Sequence, residues 1–294
     1  MTPITEPPVI GQHEAIRVLK AVSPANVLLV GTPGMGKTYI ARWYMHYLTV
    51  EHDDWSVLVD GGKINEASVL SDLYDTVSGF YLVNYPGPVT VDEIQVVENI
   101  EQFYPLLDKP VTDNKGVWIF TTTDEGDLPP AFLSRLRIIA LRPYSQGELA
   151  QIAEIAAPEL PLDTRLKIAQ LAYGSPRQVK QLSILVSNLG KRHNRTVQAA
   201  EVVGVMRYMG YEYGLNSRCV ELLRSMRDGP RSISTIAALM GTGGRTIRLW
   251  ETELVYAGLM TITSRGRALT EQGRRMLALI DRNQAQTTEK IGRV

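Results

Sequence analysis

The chain has 294 residues, 44% of them hydrophobic, and carries 31 Lys and Arg against 31 Asp and Glu, so its formal net charge is zero. That length has room for two or three domains with real cores. The single cysteine, Cys219, excludes an internal disulfide framework, and no stretch approaches the length of a membrane span. The charge is uneven. Residues 216–294 hold thirteen Lys and Arg and seven Asp and Glu, a local +6 that the rest of the chain balances. Such asymmetry points to a C-terminal module with an anionic partner. The opening residues, Met1 to Pro8, lack the basic and apolar regions of a signal peptide, so a cytoplasmic protein is expected.

Gln12 to Ala21 reads as a short amphipathic helix. Val27 to Val30 is then a short buried strand that runs directly into Gly31-Thr32-Pro33-Gly34-Met35-Gly36-Lys37-Thr38, the phosphate-binding P-loop pattern, with Tyr39 following. The glycines let the backbone curl so that successive N–H groups face a polyphosphate, and the helix after Thr38 aims its N-terminus at the same anion. The spacing predicts that Lys37 reaches the outer phosphates of ATP and that the Thr38 hydroxyl ligates Mg²⁺.

Trp55 to Val59 has strand character, broken by Asp60-Gly61-Gly62, and Asn65 to Thr76 reads as a helix. A second β-branched strand ends in Asp92-Glu93, the arrangement that supplies a metal-orienting carboxylate at Asp92 and a general base at Glu93. A third, residues 116–124, ends in Thr121-Thr122-Thr123, where a hydroxyl could position water. Residues 128–137 form a short helix ending in Arg135 and Arg137, followed by a strand at 138–141. Helix and strand alternating at this length predict a parallel sheet covered on both faces.

From Pro143 the pattern becomes helical, with segments at 146–156, 163–172, 176–189 and 199–209. Ser175 caps the third and Pro176 occupies its first turn. Residues 216–281 then read as three helices followed by a hairpin with the basic tip Ser264-Arg265-Gly266-Arg267, a winged helix-turn-helix. Arg245 and Arg248 share a face of its third helix, and with Arg265 and Arg267 they are the candidate DNA contacts. The expected organisation is therefore an α/β P-loop core at 1–143, an all-α lid at 144–213, a winged-helix domain at 214–282 and a flexible tail at 283–294.

In this order the motifs resemble the AAA+ ATPases and, within them, the RuvB family of Holliday-junction branch-migration motors. The resemblance rests on Ile10-Gly11-Gln12, Gly31 to Thr38, Asp92-Glu93-Ile94, Gly174-Ser175-Pro176-Arg177 and Thr263 to Arg267. It implies that Thr123 is the first sensor, Arg135 the arginine finger reaching a neighbour's ATP, and Arg177 the second sensor. It also implies that Ile10 and Tyr144 pack against adenine and that subunits associate into a ring, with six the expected number. Three departures stand out. The chain is shorter than that family between Glu93 and Thr123, where its β-hairpin holds the junction-binding partner protein. Gln95 replaces a histidine, and Ser134 to Arg137 lacks the family's Asp-Arg-Phe-Gly. An ATP-driven DNA motor is the leading expectation. A loader or assembly switch acting on a helicase, clamp or transposase is the second, and a nucleotide-gated DNA-binding regulator the third.

Overall fold

The computed structural model describes residues 9–49, 57–65, 87–108 and 116–291. They fall into two compact units, one up to Pro143 and the other from Tyr144 onward. In the first unit, helix α1 (His13–Val22) precedes strand β1 (Val27–Val30) and helix α2 (Lys37–Leu48). Strand β2 (Val57–Asp60) leads into a single helical turn, α3 (Gly61–Ile64), and β3 is Val89–Asp92. After β3 come two 3-10 turns, Ile94–Val96 and Ile100–Phe103, and the short helix α4 (Tyr104–Leu107). Strand β4 (Trp118–Thr122), helix α5 (Pro130–Leu133) and strand β5 (Arg137–Ala140) complete the unit. The expected strand residues Trp55 and Ser56, and most of the helix expected at 65–76, lie outside the described residues; Asn65 itself caps the end of α3.

The five strands are parallel and ordered β2-β3-β4-β1-β5. Side chains alternate across a strand. Leu28, Trp118 and Phe120 therefore face one core, while Val27, Leu29 and Ile119 face the other. Both faces are covered, which is why these strands read as continuous apolar runs rather than alternating ones. On the first face Phe120 stacks on Trp118, and Phe103 and Phe132 meet Phe120 edge-on at 5.4 and 5.0 Å. The helical turns after β3 thus close one side of the sheet.

The second unit opens with helices α6 (Gln146–Ala156), α7 (Leu162–Leu171), α8 (Pro176–Arg192) and α9 (Val202–Tyr208), which enclose a core around Ile168, Val179, Leu182 and Val186. A capping box between Ser145 and Glu148 starts α6, and the Ser175 hydroxyl caps α8. An antiparallel pair, β6 (Tyr211–Glu212) and β7 (Leu215–Asn216), follows between two expected helices, where no strand was expected. Two-residue strands leave no periodic signal in a sequence.

Helices α10 (Ser217–Ser225), α11 (Ile233–Leu239) and α12 (Gly244–Tyr256) precede the wing, β8 (Met260–Thr263) paired with β9 (Gly266–Leu269). The last helix, α13, spans Glu271–Ile291 and so passes the boundary drawn at 282. It is anchored early: Leu277 and Ile280 are buried in the winged-helix core, and Asp281 pairs with Arg224 and Arg227 on and just after α10. Once nucleated by such packing, a helix extends through polar residues at little further cost. No described helix is long and apolar enough to cross a membrane.

Candidate nucleotide site and nucleic-acid interface

The loop after β1 is shaped by two left-handed residues, Gly34 (φ 80°) and Gly36 (φ 89°), the second of which caps α2. Gly31 is not left-handed, and a Cβ there would make only ordinary contact with Leu141, at 3.4 Å. Lys37 is buried, with its ammonium donating to the Gly31 carbonyl at 2.8 Å and to Thr32 at 3.4 Å. Thr32, Pro33, Gly34 and Met35 form the turn it lies across, and the half-exposed Tyr39 stands just past it on α2, its phenol pKa raised by burial.

Strand β3 presents Asp92 and Glu93 beside this loop because β3 and β1 flank β4 in the same parallel register. The Thr38 hydroxyl donates to Asp92 Oδ2 at 2.8 Å. Thr121 on β4 completes the link: its hydroxyl donates to Asp92 Oδ1 and accepts from the Glu93 N–H at 3.0 Å. Glu93 itself has a left-handed backbone (φ 57°, ψ 51°), uncommon for a residue with a side chain. That corner leaves no room beneath it, since a Cβ on Gly61 would sit 2.6 Å from the Glu93 carbonyl. The Glu93 carboxylate has Lys37 Nζ 4.0 Å from Oε1, and Gln95 Nε2 donates to Oε2. The same Gln95 nitrogen donates to Thr123 Oγ1 at 3.2 Å. Lys37, Thr38, Asp92, Glu93 and Thr123 are therefore brought together at the ends of three strands.

Thr38 and Asp92 offer two hard oxygen donors 2.8 Å apart beside a loop of backbone N–H groups. That set suits a hydrated divalent ion, which takes its remaining ligands from phosphate and water. No cluster of three or more His, Cys, Asp or Glu able to hold a metal exists among the described residues. Neither Thr121 nor Gln95 is assigned a site role from the sequence, where Gln95 stands out only as a departure from the family and Thr121 only as part of a triplet. The polar triplet at 121–123 was the available signal, but it could not say which threonine faces which carboxylate.

Ile10 lies half-buried ahead of a clamp in which Gln12 Nε2 donates to the Arg142 carbonyl at 2.7 Å and Gln12 Oε1 accepts from Arg142 N at 3.0 Å. Tyr144 packs on the core of the helical region in the second unit. Arg177 is exposed in the first turn of α8. Arg135, just after α5, donates through Nε and Nη2 to Asp108 at 2.7 and 3.2 Å and lies over the Tyr104 ring at 4.6 Å. Arg137 is the exposed first residue of β5.

In the winged helix, Arg248 is exposed on α12, where Arg245 also lies, and Arg265 is exposed at the wing tip. Arg267 is different. Its guanidinium makes a two-point pair with Glu251 of α12, Nε to Oε2 at 2.9 Å and Nη2 to Oε1 at 3.2 Å. The pair is largely buried, with side chains 18% and 8% exposed. Arg267 therefore ties the wing to α12, and the free charge at the wing tip belongs to Arg265. Alternation along β9 turns the side chain at 267 inward toward α12.

Two family models match the chain. Residues 27–144 match the ATPase family associated with various cellular activities (AAA), and residues 212–278 match the RuvB C-terminal winged helix domain. The chain is also similar in fold to the Thermotoga maritima RuvB Holliday junction branch migration motor, at 23% identity and a TM-score of 0.78, covering 92% of this chain and 95% of that one. More distant folds include the FIGL-1 AAA domain in complex with ADP (18% identity, TM-score 0.52, 70% and 84% covered). Domain III of the Thermotoga maritima replication initiation protein DnaA stands at 18% identity, TM-score 0.50, with 67% and 89% covered. No curated protein sequence matches. The chain thus combines an AAA-family domain at residues 27–144 with a RuvB-type C-terminal winged helix domain at residues 212–278.

Proposed function

We propose that the chain is a cytoplasmic, ring-forming motor of the RuvB-like type that hydrolyses ATP to move or remodel duplex or branched DNA. The observation that carries this reading is the linked set Lys37, Thr38, Asp92, Thr121 and Glu93, built in the same chain as a RuvB-type winged helix. A nucleotide-gated switch without turnover has no need of a water-activating acid, yet Glu93 is held beside Lys37. In the proposed cycle Lys37 leaves the Gly31 carbonyl for the outer phosphates. Thr38 and Asp92 would hold Mg²⁺, which supplies charge neutralisation on those phosphates. Glu93 accepts a proton from water as the water oxygen bonds to the γ-phosphorus. The bond to the bridging oxygen breaks, and ADP and phosphate leave. Ile10 and Tyr144 are the proposed adenine contacts. Arg177 would report the γ-phosphate to the helical lid, and Arg135 would serve a neighbouring subunit's site in a hexamer.

A second reading, a loader or assembly switch, draws on the segment between β3 and β4. Among its described residues it forms 3-10 turns and α4 and no strand. A hairpin that would receive a junction-binding partner is therefore not present in those residues, and a replication protein is the competing partner. The test is ATP turnover with and without forked DNA. Lys37→Ala is expected to lose ATP binding, and Glu93→Gln to bind ATP but stall. DNA-stimulated steady-state turnover of the isolated protein supports the motor. Turnover that requires a second protein favours the loader.

A further inference from the structure

We propose that Gln95 is a positioning residue for ATP hydrolysis: its amide holds one oxygen of the Glu93 carboxylate and ties that carboxylate to Thr123, leaving the other oxygen to take the proton from water. The inference rests on the ATPase reading and extends it to a residue outside the P-loop and the Asp92-Glu93 pair.

The chain brings Gln95 back onto its own neighbour. The left-handed backbone at Glu93 turns β3 abruptly into the 3-10 turn Ile94–Val96, so residue 95 faces the carboxylate two positions earlier. Asn65, at the end of α3, fixes that turn from outside. Its Nδ2 donates to the Val96 carbonyl at 3.1 Å and its Oδ1 accepts from Glu98 N at 3.0 Å. Gln95 Nε2 then donates to both Glu93 Oε2 and Thr123 Oγ1. An ionised carboxylate only accepts, so the NH₂ group, with its two hydrogens, must be the end that faces it. The amide oxygen is left buried without a hydrogen-bond partner. A side chain that leaves its acceptor unpaired in order to donate twice is placed by those two donations.

The other side of Glu93 explains why the contact matters. Glu93 Oε1 has Lys37 Nζ at 4.0 Å, and Lys37 is the group that must turn to the phosphates. Once it does, Gln95 is the side chain still gripping the carboxylate. It keeps Oε2 occupied and aims Oε1 at the site that Lys37 has left. A base that is present but free to rotate loses the near-attack geometry on which its rate depends, and misplacement of that order costs up to about a hundredfold. Binding of the nucleotide, which uses the loop and Lys37, does not pass through this amide.

The experiment compares Gln95→Leu, which keeps the shape and removes both donors, with Gln95→His, which restores one N–H donor. Three quantities are read: affinity for mant-ATP, KM and kcat for ATP, and single-turnover hydrolysis in a Glu93→Gln background. Expected for Gln95→Leu is a kcat lower by roughly ten- to a hundredfold, with mant-ATP affinity and KM within about twofold of wild type. Gln95→His recovers part of the loss. Because the amide acts through Glu93, adding Gln95→Leu to Glu93→Gln is expected to change nothing further. Wild-type kcat in Gln95→Leu overturns the proposal. So does a full additional loss in the Glu93→Gln background, and so does a fall in mant-ATP affinity that parallels the fall in rate. An unvaried protein that binds mant-ATP but never hydrolyses ATP overturns the ATPase reading itself, an outcome distinct from all of these.

Discussion

Arg135 and Asp108 hold each other through two hydrogen bonds, with the guanidinium over the Tyr104 ring at 4.6 Å. The hydrogen bond to Arg135, aided by its charge, keeps the Asp108 carboxyl below its usual range, and Asp108 in turn raises Arg135. The residue proposed to serve a neighbour's ATP is thus engaged within its own subunit. The planar fork suits a carboxylate and a phosphate equally, so the same side chain can exchange one for the other. Arg135→Ala is expected to bind ATP normally and hydrolyse it about a thousandfold or more slowly. Asp108→Ala frees the guanidinium without removing it and should retain hydrolysis near the wild-type rate. Mixing Arg135→Ala with Glu93→Gln protein, after subunit exchange has been demonstrated with labelled chains, is expected to restore part of the activity. A fully active, monomeric Arg135→Ala preparation would be incompatible with both the finger and the ring.

Thr121 joins the two acids from beneath, donating to Asp92 and accepting from the Glu93 N–H. Thr121→Val keeps the volume but leaves a backbone donor unpaired at a buried corner. The expected loss of stability is roughly 1–3 kcal/mol, read from urea unfolding, together with reduced kcat. Unchanged unfolding and turnover in Thr121→Val would show that neither acid depends on this hydroxyl.

The two wing arginines should separate. Arg267→Ala strands the buried carboxylate of Glu251, and breaking such a pair from one side costs about 3–5 kcal/mol; some residual exposure places this pair at the lower end. Arg265→Ala touches no partner of that kind. It should leave thermal unfolding unchanged and reduce the salt slope of DNA binding by about 0.9, the share of one phosphate contact. Thermal melts and salt titrations of both variants decide this. Equal loss of stability from both substitutions would contradict the assignment.

Glu159 supplies a pH dependence of stability. Its hydrogen bonds from Lys191 and then Ser187 lower its pKa to about 2. A folded-state pKa below the unfolded value means that the contribution is fully present above the ordinary glutamate value of 4.5 and is lost as pH falls from there toward about 2. Both side chains are partly exposed, so solvent screening keeps the effect small. Urea stability measured from pH 6 to pH 2.5 should fall less steeply for Glu159→Gln than for wild type. Parallel curves would remove Glu159 from the account.

The sequence alone determined the elements whose signals are contiguous. The run Val27 to Thr38 specifies strand, phosphate loop and helix within a dozen residues, because turn chemistry and apolar burial there are both local. The acidic strand end at Asp92-Glu93 and the three helices and hairpin of the winged helix were legible for the same reason. Tertiary structure alone decided the partners. Thr121 meets Asp92 across 29 positions, Gln95 meets Thr123 across 28, Arg135 meets Asp108 across 27 and Arg267 meets Glu251 across 16. A hydrogen bond or ion pair depends on where two chains cross and which way each side chain points. Both are set by strand order and by the corner at Glu93, neither of which is written in the spacing of residues along the chain.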